Sequence, residues 1–271
     1  MTKHLELVFL GTSPLAIPLF FCQCATCESA RKNPQERRTR ASIAVIGKEL
    51  TIIDPGPDLE QQLEREQLRQ PICNILITHW HYDHIAGLGT LREVNNLAKW
   101  KPIEIYVPEE VEFHFNQELA YLKPALNIHK IKVGDKLNLQ DFSVEVVKTE
   151  HIDHSIGFIL TNNKRIAYLV DTSYPSEETR KKLINLDIII MEATVDELVT
   201  TIPWQNFSLD QALSFWEELK PFNKECIFTH LSNHRWINGE LLSGLTVTER
   251  KKIENENPGV IFAYDGLKVL F

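Results

Sequence analysis

The apolar run Ile75-Leu76-Ile77-Thr78 leads directly into His79-Trp80-His81-Tyr82-Asp83-His84. Three imidazoles and a carboxylate within six residues thus crowd the end of what reads as a buried strand. Polar groups placed there cost free energy unless something pairs with them. Neutral imidazole and carboxylate are the usual ligands of zinc, manganese or iron. In a tight loop, His79 and His81 can face one metal ion while Asp83 and His84 face another. A solvated polar loop is the bland alternative, but it leaves unexplained the matching ligands that later strands supply.

Short apolar runs read as strands at 5–10, 42–46, 50–53, 72–77, 103–107, 142–147, 156–160, 165–170, 186–191, 225–228, 260–263 and 267–271. Helical spacing lies between several of them, at 59–68, 87–97 and 177–183. Two capping boxes, Ser208 with Gln211 and Thr246 with Glu249, open helices running to about 219 and 254. Strands dominate early and helices increase later. The expected class is α/β (α+β), a four-layer αββα sandwich of two mixed sheets flanked by helices. No Pro/Gly/Ser-rich linker divides the chain, so one domain over 1–271 is expected.

No apolar run approaches the roughly 20 residues of a membrane span. The opening run lacks a signal-peptide core, so a cytoplasmic protein without membrane contact is expected. The net charge of −8 disfavours a broad nucleic-acid surface but allows a small anion neutralised by metals.

More candidate ligands stand at the ends of later strands. Asp54 closes Ile52-Ile53-Asp54-Pro55-Gly56, where a turn-forming Asp is the alternative reading. His154 stands in Asp153-His154-Ser155-Ile156-Gly157-Phe158, with His151 a rival ligand three residues earlier. Asp171 follows Ile166-Ala-Tyr-Leu-Val170, and His230 ends Cys226-Ile-Phe-Thr-His230. From end to end the sequence resembles the metallo-β-lactamase superfamily. The resemblance implies His79, His81 and His154 on one metal. It implies Asp83, His84 and His230 on a second, Asp171 shared by both, and Asp54 orienting a ligand histidine.

Cys22-Gln-Cys24-Ala-Thr-Cys27 adds three thiols within six residues. In a cytosolic chain such spacing points to metal rather than disulfides. The segment resembles one branch of the superfamily, the phosphoribosyl 1,2-cyclic phosphate phosphodiesterases of the carbon–phosphorus lyase pathway. The branch serving pyrroloquinoline quinone synthesis has a similar loop. The resemblance implies a structural zinc in a loop at about 20–40, completed by a histidine shortly after the last catalytic ligand. Here that histidine is His234, displaced by one position. The run Arg37-Arg38-Thr39-Arg40 is either a solvated loop or, through Arg40, a bidentate partner for a substrate phosphate. Cys73 and Cys226 read as core packing.

Two adjacent divalent metals, zinc or manganese with iron also compatible, suit phosphoester hydrolysis by a metal-bridging hydroxide. Asp83 and Asp171 are the candidate catalytic carboxylates. Where the phosphodiesterases keep a leaving-group histidine, this chain has Phe207, so either another group such as His151 or Tyr82 supplies the proton, or the metal suffices, or the substrate differs. The turn after Gly11-Thr12 also departs, reading Ser13-Pro14-Leu15-Ala16. The expected activity is hydrolysis of a small cyclic phosphate, ribosyl or nucleotide, with no stable nucleic-acid complex. A transfer-RNA 3′-processing nuclease and a non-hydrolytic cofactor-synthesis protein are the competing readings, and a homodimer is left open.

Overall fold

The computed structural model describes residues 5–111, 113, 117, 119–194, 206–232, 234–237 and 240–271. Residues 1–4 lie outside them, as do Gln205 and Asn233. Two seven-stranded sheets face each other. The first takes the order β16 (Lys268–Leu270), β1 (Glu6–Gly11), β2 (Ser42–Ile46), β3 (Leu50–Ile53), β4 (Ile72–Leu76), β5 (Ile103–Pro108) and β6 (Leu126–Ile131). The second takes the order β15 (Val260–Phe262), β12 (Glu225–Thr229), β11 (Ile188–Glu192), β10 (Arg165–Leu169), β9 (Ile156–Thr161), β8 (Ser143–Lys148) and β7 (Lys136–Asn138). A separate hairpin joins β13 (His234–Ile237) to β14 (Glu240–Ser243).

Each sheet is antiparallel on one side and parallel on the other. Strands β3 to β6 pair in parallel in the first sheet. Strands β10, β11, β12 and β15 do so in the second. Parallel strands present their carboxyl ends along one edge, where side chains from distant parts of the chain can meet.

Alternation along the strands builds the layers. In β1, Leu7 and Phe9 point into the core between the sheets, while Val8 and Leu10 point outward under the helices. Phe158 and Leu160 of β9 join the central core, and Ile159 joins the outer one. Helices α2 (Leu59–Arg65) and α4 (Leu88–Ala98) cover the first sheet through Leu59, Leu88 and Leu91. Helix α6 (Leu209–Leu219) covers the second through Ala212, Phe215 and Trp216. The expected αββα sandwich is the fold observed.

Both expected capping boxes form, Ser208 with Gln211 on α6 and Thr246 with Glu249 on α7 (Val247–Glu256). Strands β6, β7, β13 and β14 were not expected. In β6 only Leu126 and Ile128 alternate with polar Asn127 and His129 before Lys130 interrupts the pattern, in an edge strand that needs only one buried face. Among the described residues, no helix is long and apolar enough to cross a membrane.

Phe158 is fully buried between the sheets. Phe158→Ala is expected to cost about 3–5 kcal/mol by loss of transfer energy plus a cavity. Leu97→Ala, on an exposed position of α4, is expected to stay within about 0.5 kcal/mol. Denaturant unfolding of both variants measures the contrast.

Candidate metal centre

Two residues beyond the end of β4, Thr78 ties the two sheets together. The Thr78 backbone N–H and hydroxyl both donate to Asp54, at 2.8 Å each. Its carbonyl accepts from Ile156 N, at the start of β9 in the other sheet, at 3.0 Å. Beyond it the chain passes His79 and His81 and coils into one helical turn, α3 (Tyr82–Ile85), carrying Asp83 and His84. Gly56 lies directly beneath this turn, where an added Cβ would stand 2.2 Å from the Asp83 carbonyl oxygen. Only glycine permits that approach.

Three residues leave strand ends in the left-handed conformation: Asp54 after β3, Asp171 after β10 and His230 after β12, at φ 57°, 55° and 53°. For a non-glycine residue this costs roughly 1–2 kcal/mol. The twist directs each side chain across the edge where the carboxyl ends converge.

Two clusters result. In the first, His79 Nε2 lies 2.9 Å from His81 Nδ1, which lies 3.2 Å from His151 Nε2. In the second, Asp83, His84, Asp171 and His230 present ligand atoms all within 4.8 Å of one another. Asp171 joins the clusters, its Oδ2 standing 3.4 Å from His79 Nε2 and 2.8 Å from His84 Nε2.

Both clusters fit divalent metals by their own chemistry. His81 Nδ1 faces two Nε2 atoms and can donate a proton to only one of them. A cation accepts all three lone pairs. Nitrogens held at about 2.05 Å around a tetrahedral zinc would lie roughly 3.3 Å apart, near the spacing seen. In the second cluster the Nε2 atoms of His84 and His230 are buried without a hydrogen-bond partner. The short His84–Asp171 contact lacks hydrogen-bond geometry, so both atoms point into the space between the carboxylates.

The electrostatics divide the same way. Burial, then the neighbouring His84 charge, holds His79 well below its ordinary value. Burial, then His151, lowers His81. These rings are neutral and ready to ligate. Burial also opposes charge on His84, but Asp54, Asp171 and Asp83 raise it well above the ordinary imidazole value. Asp171, Asp83 and Glu192 likewise raise His230 against its burial. Asp83 and Asp171 sit well below the carboxylate range, because the histidines around them outweigh burial. The second cluster therefore demands positive charge, which a divalent cation supplies.

Further contacts hold the ligands in place. Asp54 Oδ2 lies 3.0 Å from His84 Nδ1, the orienting role expected for it. Thr78 Oγ1 lies 3.0 Å from His79 Nδ1, and Thr194 Oγ1 lies 2.9 Å from His230 Nδ1. Asn206 donates to Asp171 Oδ1 at 2.7 Å and to Glu192 at 2.8 Å. Burial, then Asp171, pushes Glu192 up to about 8. Asn206, Glu192 and Thr194 escaped the sequence reading. For Glu192 a signal was present: a charged residue closes the apolar strand Ile-Ile-Ile-Met-Glu, as Asp171 and His230 follow theirs.

The third histidine of the first cluster is a correction. His154, expected as a ligand, is exposed and lines a separate cleft with Lys132 and Lys148. His151, buried, takes the place beside His79 and His81. The reason lies in the loop after β8, where Ser155 N donates to the Ile152 carbonyl. That tight turn holds His154 at its tip, with φ 66°. His151, expected also as an alternative proton donor, thus lies among the ligand atoms of the first cluster. Phe207 is buried against Phe215 and Tyr174.

Arg40 is also a correction. Its Nη1 binds both Asp58 oxygens at 3.1 Å, and its backbone N–H donates to the same carboxylate. Asp58 therefore neutralises the guanidinium through Nη1, whereas Arg40 Nε is buried without a hydrogen-bond partner.

The cysteine loop gathers as a second candidate site. Cys22 Sγ lies 3.0 Å from His234 Nε2, and Cys24 Sγ completes a group within 4.8 Å. Burial pushes the Cys22 thiol up to about 11. Burial would raise Cys24 too, but hydrogen bonds from the Cys27 backbone and from the Cys22 and Cys27 thiols lower it. Cys27 itself is buried on α1 (Ala25–Lys32). Two thiols, a third in contact with both, and a histidine make a set suited to a closed zinc site. Cys226 lies in the core as expected, whereas Cys73 is half-buried on β4.

Residues 51–231 match the family model of the beta-lactamase superfamily domain, a span that includes every residue of the two histidine–carboxylate clusters. The chain is 27% identical over 314 residues to coenzyme PQQ synthesis protein B of Methylobacterium radiotolerans, covering 98% of this chain and 99% of that one. It is 26% identical over 191 residues to ribonuclease Z of Methanosarcina mazei, covering 68% of this chain and 54% of that one. Among solved structures it resembles a diphosphatase from the PhnP family, with TM-score 0.80 and 27% identity over 98% of each chain.

His151→Ala is expected to lower the bound metal by about one ion per chain, and His154→Ala to leave it unchanged. Elemental analysis of the two variants decides between the histidines. Acid should empty the second cluster first. His84 and His230, raised above their ordinary value, must lose protons before a metal binds, whereas burial already keeps His79 and His81 neutral. From about pH 8 to about pH 6, the ion held by Asp83, His84 and His230 is expected to dissociate before the other. Metal content after dialysis at each pH measures the order.

Proposed function

For a chain that belongs to the beta-lactamase superfamily, we propose hydrolysis of a P–O bond in a small phosphorylated molecule, with a cyclic phosphodiester as the first substrate class. The observation that carries this reading is the complete double cluster, in which no ligand position is occupied by a residue unable to ligate. A binding protein without turnover has no need of two converging clusters joined by one carboxylate. The similarity to a PhnP-family diphosphatase favours phosphoryl chemistry and adds diphosphates to the substrates to be tried.

Two divalent cations bound there would supply Lewis-acid activation of water and neutralise phosphoryl charge. His79, His81 and His151 would hold one, Asp83, His84 and His230 the other, with Asp171 between them. Asp54 accepts from His84 Nδ1 and so keeps the Nε2 lone pair directed inward. Asn206 occupies Asp171 Oδ1 and leaves Oδ2 facing His79 and His84. Asp83 is the carboxylate of the pair that solvent reaches, with 25% of its side chain exposed against 4% for Asp171. Substrate therefore enters from the side of Asp83. Tyr82, exposed on the same helical turn, is the candidate proton donor to a leaving oxygen.

We further propose a structural zinc held by Cys22, Cys24, Cys27 and His234. The acidic net charge argues against a stable nucleic-acid complex, and the ligand set argues against a purely non-catalytic role in cofactor synthesis.

Phosphorus NMR of manganese- or zinc-loaded protein with 5-phosphoribosyl 1,2-cyclic phosphate, nucleoside 2′,3′-cyclic phosphates and a dinucleoside diphosphate tests the proposal. One class is expected to be opened in clear preference, and His81→Ala to lose the activity while remaining folded. Turnover of none, with both metals verified in place, would defeat it. Cleavage of a precursor transfer RNA alone would move the assignment to RNA processing.

A further inference from the structure

Next to Thr194, whose hydroxyl contacts His230, lies a cleft that none of the candidate metal ligands lines. The cleft is narrow and lined by Arg38, Arg250, Thr26, Thr194 and Ser232 together with apolar side chains. Its walls come from four parts of the chain: the segment before β2, helix α1, the residues following β11 and β12, and helix α7.

Arg38 is 5% exposed. Both of its side-chain hydrogen bonds use Nη1, to Thr12 Oγ1 at 2.9 Å and to the Ala263 carbonyl at 3.0 Å. Arg250 likewise uses only Nη1, to the Leu245 carbonyl at 2.7 Å. Among the described residues, neither guanidinium has a carboxylate within ion-pair distance. The nearest acid behind Arg38, Asp265, is taken up by Thr12, Thr39 and Arg65. The remaining N–H groups of both arginines are left for the cleft they share.

A buried guanidinium beside a half-buried one is costly unless a counter-charge sits between them. Burial, then the charge of Arg250, pulls Arg38 down to about 9, with Asp265 and Glu36 opposing. A guanidinium stays protonated at neutral pH, so the cost is borne as destabilisation rather than relieved by titration. Guanidinium forks match the oxygens of a phosphoryl group, and the hydroxyls of Thr26 and Ser232 add further polar groups to the wall.

We propose that this cleft is a binding site for a phosphoryl oxyanion, separate from the metal centre and independent of the hydrolytic reading above. Thr194 lines the cleft and also contacts His230 Nδ1, while Leu231 and Ser232 lie between His230 and His234. An anion seated there would clamp the cysteine loop and α7 against the segment that carries both histidines.

Calorimetric titration of the metal-loaded protein with inorganic phosphate at constant ionic strength, with sulfate and chloride in parallel, tests the site. A phosphate-binding event is expected that Arg250→Leu weakens at least about tenfold and Arg250→Lys only partly, with metal content unchanged in both. Ribose 5-phosphate in the same titration separates free phosphate from a phosphorylated molecule as the occupant. Selenate soaked into crystals of the unaltered protein is expected to give an anomalous peak between Arg38 and Arg250. An empty cleft in those crystals, or phosphate binding identical in the wild type and Arg250→Leu, would overturn the proposal.

Discussion

Three carboxylates, Asp54, Asp83 and Asp171, meet five imidazoles at one edge of two apposed sheets, and Asp54 and Asp171 are almost wholly buried. Ionised carboxylates in that position are tolerated only with compensating positive charge. Within the protein alone the compensation is partial: histidines are drawn toward protonation and two ring nitrogens remain without a hydrogen-bond partner. Divalent cations would complete it. The strained backbone at Asp54, Asp171 and His230 follows from the same demand, because the side chains must turn back across the strand ends to share one charge.

The sandwich makes this arrangement affordable. A central core between the sheets and an outer core beneath each helical layer hold the strands rigidly. Parallel pairing in half of each sheet puts the ends of β3, β4, β10, β11 and β12 on the same side. Thr78 links the sheets at that edge, and its two hydrogen bonds to Asp54 set the carboxylate that orients His84. Loss of sheet register by a single residue would turn every one of these side chains to the wrong face.

The first forty residues belong to the same problem. Leu231 N donates to the Thr12 carbonyl, and Ser13 Oγ donates to the Leu231 carbonyl at 2.8 Å. These bonds fasten the segment between His230 and His234 to the loop that bears the cysteines. Metal centre, cysteine site and arginine-lined cleft therefore share a short stretch of chain, with Thr194, Leu231 and Ser232 at their junction.

The ligand types, the strand ends that carry them and the layered class were all legible in the chain. An apolar run closing on His or Asp is a local pattern with a large energetic penalty unless it serves a site. Asp54, His79, His84, Asp171 and His230 each carried that mark, and both capping boxes were equally local. The choice between His151 and His154 was not. Both lie in one loop three residues apart, and only the turn closed by Ser155 and Ile152 decides which reaches the cluster. The fate of the arginines was likewise tertiary. Asp58 claims Arg40, while Arg38 is carried inward by its bridge to Ile17, because pairing partners far apart in sequence set which charge is neutralised and which is left facing a cleft.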